Sequence, residues 1–159
     1  MLPIKGAYAG YAQAHAIQEL HRCFNCSFPV TGAPARYPRN GQFLPLVACA
    51  GIVKCWKAPV KAYTSAPNGS FRSLTLVAQN GHFDGAGSMV VFTLSLNLSG
   101  ELRLNVNAWV AKPTISDALN RQGAKGMWMR FADRLGTNMW FHQGCKPVCT
   151  PPGPAPTGG

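Results

Sequence analysis

Residues 125–135 read KGMWMRFADRL, with Met127, Met129 and Phe131 at every second position against Trp128, Arg130 and Ala132. Apolar residues at period two mark a half-buried strand. On that reading the stretch is the last long strand of a β-rich segment over residues 70–142, followed by a short apolar piece, NMWFH, at 138–142. Just upstream, PTISDALNRQ (113–122) predicts a helix: Pro113 ends the preceding strand, Thr114 is the N-cap, and Asp117 sits in the first turn, where a carboxylate favours the helix dipole.

Before that helix, ELRLNVNAWV (101–110) alternates strictly, with Leu102, Leu104, Val106, Ala108 and Val110 on one face. MVVFTLSLNL (89–98) sets Val90, Phe92, Leu94, Leu96 and Leu98 against Val91, Thr93, Ser95 and Asn97. The short link at Ser99–Gly100 predicts a hairpin between the two. FRSLTLVAQ (71–79) reads as a strand before them, and GHFDGAGS as a glycine-rich turn. With the leucines inward, the outer face collects Thr93, Ser95, Asn97, Arg103, Asn105, Asn107 and Trp109 and holds no carboxylate. A solvated sheet face usually mixes both charge signs.

The whole chain shares that bias. Fifteen Lys and Arg stand against five Asp and Glu in 159 residues, a net charge of +10. Such a balance favours a polyanionic partner, nucleic acid before an anionic membrane surface. The plain alternative is a basic surface that only confers solubility. The five acids, Glu19, Asp84, Glu101, Asp117 and Asp133, are scattered, which disfavours paired-carboxylate or two-metal catalysis. No phosphate-loop or dinucleotide signature is present. His82 beside Asp84 admits a Cys–His hydrolase, but nothing selects a nucleophile among the cysteines, and the chain is read as a non-enzyme.

The order of strands, with one helix before the last, and the text SLTLVAQNGHFDGAGSMVVFTLSLN resemble the opening of bacterial-type single-stranded-DNA-binding proteins, which are oligonucleotide-binding (OB) barrels. The continuation is similar too: Ala108–Trp109 ending a strand, Lys125–Gly126, Arg134–Leu135, Thr137 and Trp140. The resemblance covers about residues 71–141. It implies a small OB-like barrel that binds single-stranded nucleic acid, DNA in replication foremost, with little sequence preference and as a homo-oligomer. Bases would stack on Trp109, Trp128 and Trp140, at about 1–3 kcal/mol each. Arg72, Arg103, Lys112, Lys125, Arg130 and Arg134 would meet phosphates, and Asn105 and Asn107 would hydrogen-bond the strand. The family's acidic C-terminal tip, which recruits replication proteins, has no counterpart in this tail.

Residues 1–67 precede that segment as a Cys-containing extension. AYAGYAQAHAIQELHRC predicts a helix, SFPVTGAPARYPRNG a loop, and QFLPLVACAGIVKCW an apolar β-like run. SAPNGS (65–70) is the best internal boundary, and residues 143–159 read as a disordered Pro/Gly-rich tail. With no secretory signal and no apolar run of about 20 residues, the expectation is a cytoplasmic protein without a membrane partner. In that compartment thiols or metal ligands are expected rather than disulfides. No cofactor is required, but Cys23, Cys26, Cys49 and Cys55 are the preferred set for a structural zinc, with Cys145, Cys149, His15 and His21 as further candidates.

Two other readings fit. One is a β-rich structural or assembly protein of a virus or mobile element. The other is a lipid-binding cup of sheet and helix. The cup requires a long C-terminal helix, which a strand at 125–135 does not supply.

Overall fold

In the computed structural model, residues 2–3, 13–50, 54–64, 72–112 and 117–143 are described. The alternating segments form strands as expected: β4 (Arg72–Ala78), β5 (Met89–Leu96) and β6 (Leu102–Trp109) make an antiparallel meander. Its β5–β6 register sets Phe92 opposite Val106 and Leu94 opposite Leu104. The apolar run of the N-terminal region is a second hairpin, β2 (Gln42–Ala50) and β3 (Lys54–Thr64). β3 pairs with β4, so the proposed boundary at 65–70 falls between neighbouring strands of one sheet. A two-residue strand, β1 (Leu2–Pro3), adds to β6, giving the order β1-β6-β5-β4-β3-β2.

Two short helices, α1 (Gln13–Arg22) and α2 (Phe24–Ser27), precede the sheet, and one long helix, α3 (Asp117–Gln143), follows it. Here the expectation fails. The expected strand at 125–135 is the middle of a 27-residue helix about 40 Å long. The buried residues Phe131, Leu135 and Met139 follow Met127 at intervals of four. Four is both one helical turn and twice the strand period, so Met127 and Phe131 satisfy either pattern. The deciding features are the lack of proline over 117–143 and the wealth of Met, Ala, Leu, Arg and Lys over β-branched residues.

Loss of that strand leaves the sheet open. β1 and β2 are its edges, and no pairing joins them among the described residues. The architecture is mainly β, with the three helices laid on one face of the sheet. Leu44, Leu46, Val60, Leu76, Phe92, Leu94, Leu102 and Leu104 of that face share one core with Leu20, Phe24, Phe28, Phe131, Leu135 and Met139. Aromatic rings bind the layers: Phe131 meets Phe28 at 5.2 Å and Phe92 at 5.5 Å, both edge to face. Glu19 of α1 is fully buried, and its carboxylate accepts bonds from Arg22 (2.7 and 2.9 Å) and from His142 at the end of α3 (3.1 Å). Asn138 Nδ2 donates to Ser27 Oγ at 3.0 Å, tying α3 to α2.

Candidate ligand cavity between sheet and helix

The layers do not meet along their whole length. Near the start of α3, the residues facing the sheet are Gly123 and Ala124, and the strands offer Ala58, Ala78 and Ala108. Short side chains on both layers cannot span the gap between helix and sheet. A half-enclosed cavity of about 170 Å³ remains. Val60, Leu76 and Val90 form its floor, and Trp56, Phe83 and Trp128 contribute aromatic walls. Its polar lining is concentrated in His82, Asp84, Ser88 and Asn120.

The turn between β4 and β5 positions three of those four groups. Phe83 N–H donates to Lys57 O (3.2 Å) and Gln79 N–H to Pro59 O (2.9 Å), holding the turn on β3. Lys112 N–H donates to Asp84 O at 2.8 Å, which fastens it to the segment after β6. Ser88 Oγ links the same two segments, donating to Asp84 O (2.7 Å) and accepting from Ala111 N–H (2.7 Å). This approach needs glycine at 85. Gly85 has φ +86°, and a Cβ there would lie 2.9 Å from Lys112 Cβ.

Asp84 and His82 are differently poised. Burial pushes the Asp84 carboxyl above its ordinary range, while Asn120 Nδ2 of α3, donating to Oδ1 at 2.8 Å, pulls it back. Burial lowers the His82 pKa. Its Nδ1 accepts the Asp84 backbone N–H at 3.0 Å, so the proton of the neutral ring sits on Nε2. That bond goes to backbone, so His82 and the Asp84 carboxylate do not form the oriented dyad of a hydrolase. Among the described residues no cysteine is free to serve as nucleophile.

The residues expected to bind nucleic acid are divided by the sheet. Arg103, Asn105, Asn107 and Trp109 do share its outer face, away from the helices. Trp109 is 56% exposed there, and it also borders the cavity. Arg103 is paired with Glu101 at 2.7 Å, and Asn105 donates to Ser95 Oγ at 2.8 Å. Arg72 falls opposite Leu94 on β5, and its side chain lies outside the described residues. Lys112 is exposed beside the β4–β5 turn.

The other five are on α3, on the opposite side of the sheet. Lys125, Arg130 and Arg134 are exposed to solvent. Trp128 is partly buried against the core, edge-on to Phe92 at 4.7 Å, and lines the cavity. Trp140 is half-buried against Phe141, and its buried indole N–H has no hydrogen-bond partner among the described residues.

The four cysteines preferred for zinc do not gather. Cys23 is bonded to Cys26 and Cys49 to Cys55, which corrects both the zinc set and the expectation of free thiols. The spacing of the second pair is explained by register, since Cys49 and Cys55 are direct partners across the β2–β3 hairpin. No group of three or more His, Cys, Asp or Glu placed to hold a metal occurs among the described residues. Cys145 and Cys149, the Thr114 cap and the tail after Gln143 lie outside them. No helix among the described residues is long and apolar enough to cross a membrane.

The cavity itself was missed by sequence reading. Its only direct signal was a set of alanines at core-facing strand positions, together with Gly123–Ala124 in an otherwise bulky helix. Comparison with protein-family models, curated proteins and solved structures finds no match to this chain.

Proposed function

We propose that the protein binds a small, mainly apolar molecule in the cavity between the sheet and α3. The observation that carries this reading is a half-enclosed apolar space with a few convergent polar side chains, the usual form of a small-molecule site. Its volume sets the ligand's size. A cavity of about 150 Å³ lined by aliphatic and aromatic groups accepts benzene, so about 170 Å³ suits one ring or a short branched chain. A long acyl chain does not fit. The long C-terminal helix required by a sheet-and-helix cup is present after all, in a version scaled to a smaller guest.

Calorimetric titration with toluene tests this directly. Saturable binding is expected, with a Kd on the order of 0.1–1 mM from burial of one ring. Ala124→Phe, which fills the space from the helix side, should abolish it. Absence of toluene binding to the wild-type protein sinks the proposal.

A second reading, binding of single-stranded nucleic acid, is favoured by the register of the outer sheet face. Phe43, Lys61, Val77, Met89 and Trp109 are successive cross-strand partners in one row over five strands. Phe43, Met89 and Trp109 are exposed, and so are Tyr63 and Lys57 on the same face. No Asp or Glu occurs within those strands. The row spans about 19 Å at normal strand spacing, enough for a few stacked bases. This reading does not need a closed barrel. Quenching of tryptophan fluorescence by a thymidine oligonucleotide, lost in Trp109→Ala and weakened by salt, is expected; no binding at low salt would remove it.

A further inference from the structure

Resting on the cavity reading above, we infer that the ligand is an uncharged hydroxyl compound about one ring in size, whose hydroxyl donates a hydrogen bond to the carboxylate of Asp84. The cavity lining offers no Lys or Arg and holds one strong acceptor, the Asp84 carboxylate. A carboxylate offers about four acceptor sites. The bond from Asn120 Nδ2 occupies Asp84 Oδ1 in one direction only and holds the group at the start of α3, on the cavity lining. Two neighbouring atoms, Ser88 Oγ and His82 Nδ1, are committed to the protein. Ser88 Oγ bridges Asp84 O and Ala111 N–H, and His82 Nδ1 accepts the Asp84 N–H.

Anions are disfavoured because none of the lining residues is Lys or Arg, and Asp84 itself opposes a second carboxylate. Cations are opposed by exposed lysines that neighbour lining residues. Lys54 lies 5.5 Å over the ring of Trp56, Lys112 is held beside Asp84 through its N–H, and both are exposed. The chain's net charge of +10 adds to that barrier. A neutral hydroxyl avoids both penalties and gains a charge-assisted bond.

Four probes of one shape decide the question: toluene, benzyl alcohol, benzylamine and benzoate, titrated calorimetrically into the intact protein. Benzyl alcohol is expected to bind about tenfold tighter than toluene, in line with one hydrogen bond to a charged acceptor, with benzylamine and benzoate each weaker than the alcohol. In Asp84→Ala the advantage of the alcohol over toluene should fall below about threefold. In Asp84→Asn, which keeps an acceptor but removes the charge, benzoate should gain on the alcohol. Equal binding of toluene and benzyl alcohol by the wild-type protein overturns this inference while leaving the cavity reading intact. Preference for benzylamine or benzoate overturns it as well. Failure of all four to bind overturns the cavity reading itself.

Discussion

The two halves of α3 lie on the same sheet and are treated differently by it. The C-terminal half, from Phe131 through Leu135 to Met139, is fully buried against Phe28, Phe92, Leu102 and Leu104, with Glu19, Arg22 and His142 closing the end. The N-terminal half, from Asn120 to Met127, faces the sheet across a gap, and a side-chain bond from Asn120 to Asp84 ties it to the β4–β5 turn. Backbone geometry does not separate the two halves, since helix and strands continue through both. Side-chain volume does. Large residues meet large residues at one end, and Gly and Ala face Ala at the other.

The comparison breaks most visibly under truncation. Phe131→Ala should cost about 3–5 kcal/mol in chemical denaturation, because a buried ring leaves a cavity in a packed region. Met127→Ala, at the hollow end and half-buried, should cost well under half of that. Equal losses would mean that the hollow end is packed in solution.

Next in size is the turn that frames the cavity. Gly85→Ala forces a side chain into a left-handed conformation and against Lys112, and should cost about 1–3 kcal/mol while weakening toluene binding. Gly87→Ala has the same backbone sign, φ +90°, but open space around its Cβ, so only the conformational part, about 1 kcal/mol, should be lost. Indistinguishable melting curves for the two variants would show that the contact with Lys112 is dispensable.

Acid gives a smaller effect with a definite sign. Burial holds the folded His82 pKa below its ordinary 6.5, so the folded protein takes up fewer protons there than the unfolded chain. Stability from this group is therefore complete above pH 6.5 and declines as pH falls through 6.5 toward the folded pKa. Asp84 acts oppositely, since its raised pKa makes folding cost most when the carboxyl is ionised; that cost is relieved as pH falls from its folded pKa toward 3.8. His82→Gln should flatten the loss just below pH 6.5, read from denaturation midpoints at successive pH values. A wild-type slope retained in that variant assigns the loss elsewhere.

The smallest expected change is a gain. Gly123 and Gly126 lie inside α3, and a Cβ added at either would meet nothing within 4 Å, so each Gly→Ala should stabilise by about 0.5–1 kcal/mol through helix propensity. Gly123→Ala also intrudes on the cavity, and Gly126, which is not on its lining, does not. Weaker toluene binding in the first alone sharpens the boundary of the site.

Strands were the legible part of this sequence. The Phe92 and Leu104 faces follow directly from alternation, and the short turn over residues 97–101 leaves little choice of register. α3 was not, because Met127 and Phe131 stand four apart, where the two periodicities agree, and the interposed Met129 completed an apparent strand. The candidate site was less legible still. A cavity is an absence of volume, and Ala58, Ala78 and Ala108 look in sequence like ordinary small core residues until the helix opposite them is known to carry Gly123 and Ala124. The cysteine spacing misled for a related reason: five intervening residues are loose for a metal, yet they place Cys49 and Cys55 directly opposite each other in a hairpin.

A rod of about 40 Å, seated firmly along one half and fastened at the other through Asn120 and Asp84, has the mechanics of a lever. Its fulcrum is the cluster around Phe131. A guest hydroxyl that bonds an acceptor site Asn120 leaves open on Asp84 would add a second tie at the same end, so filling the hollow should steady the arm rather than free it.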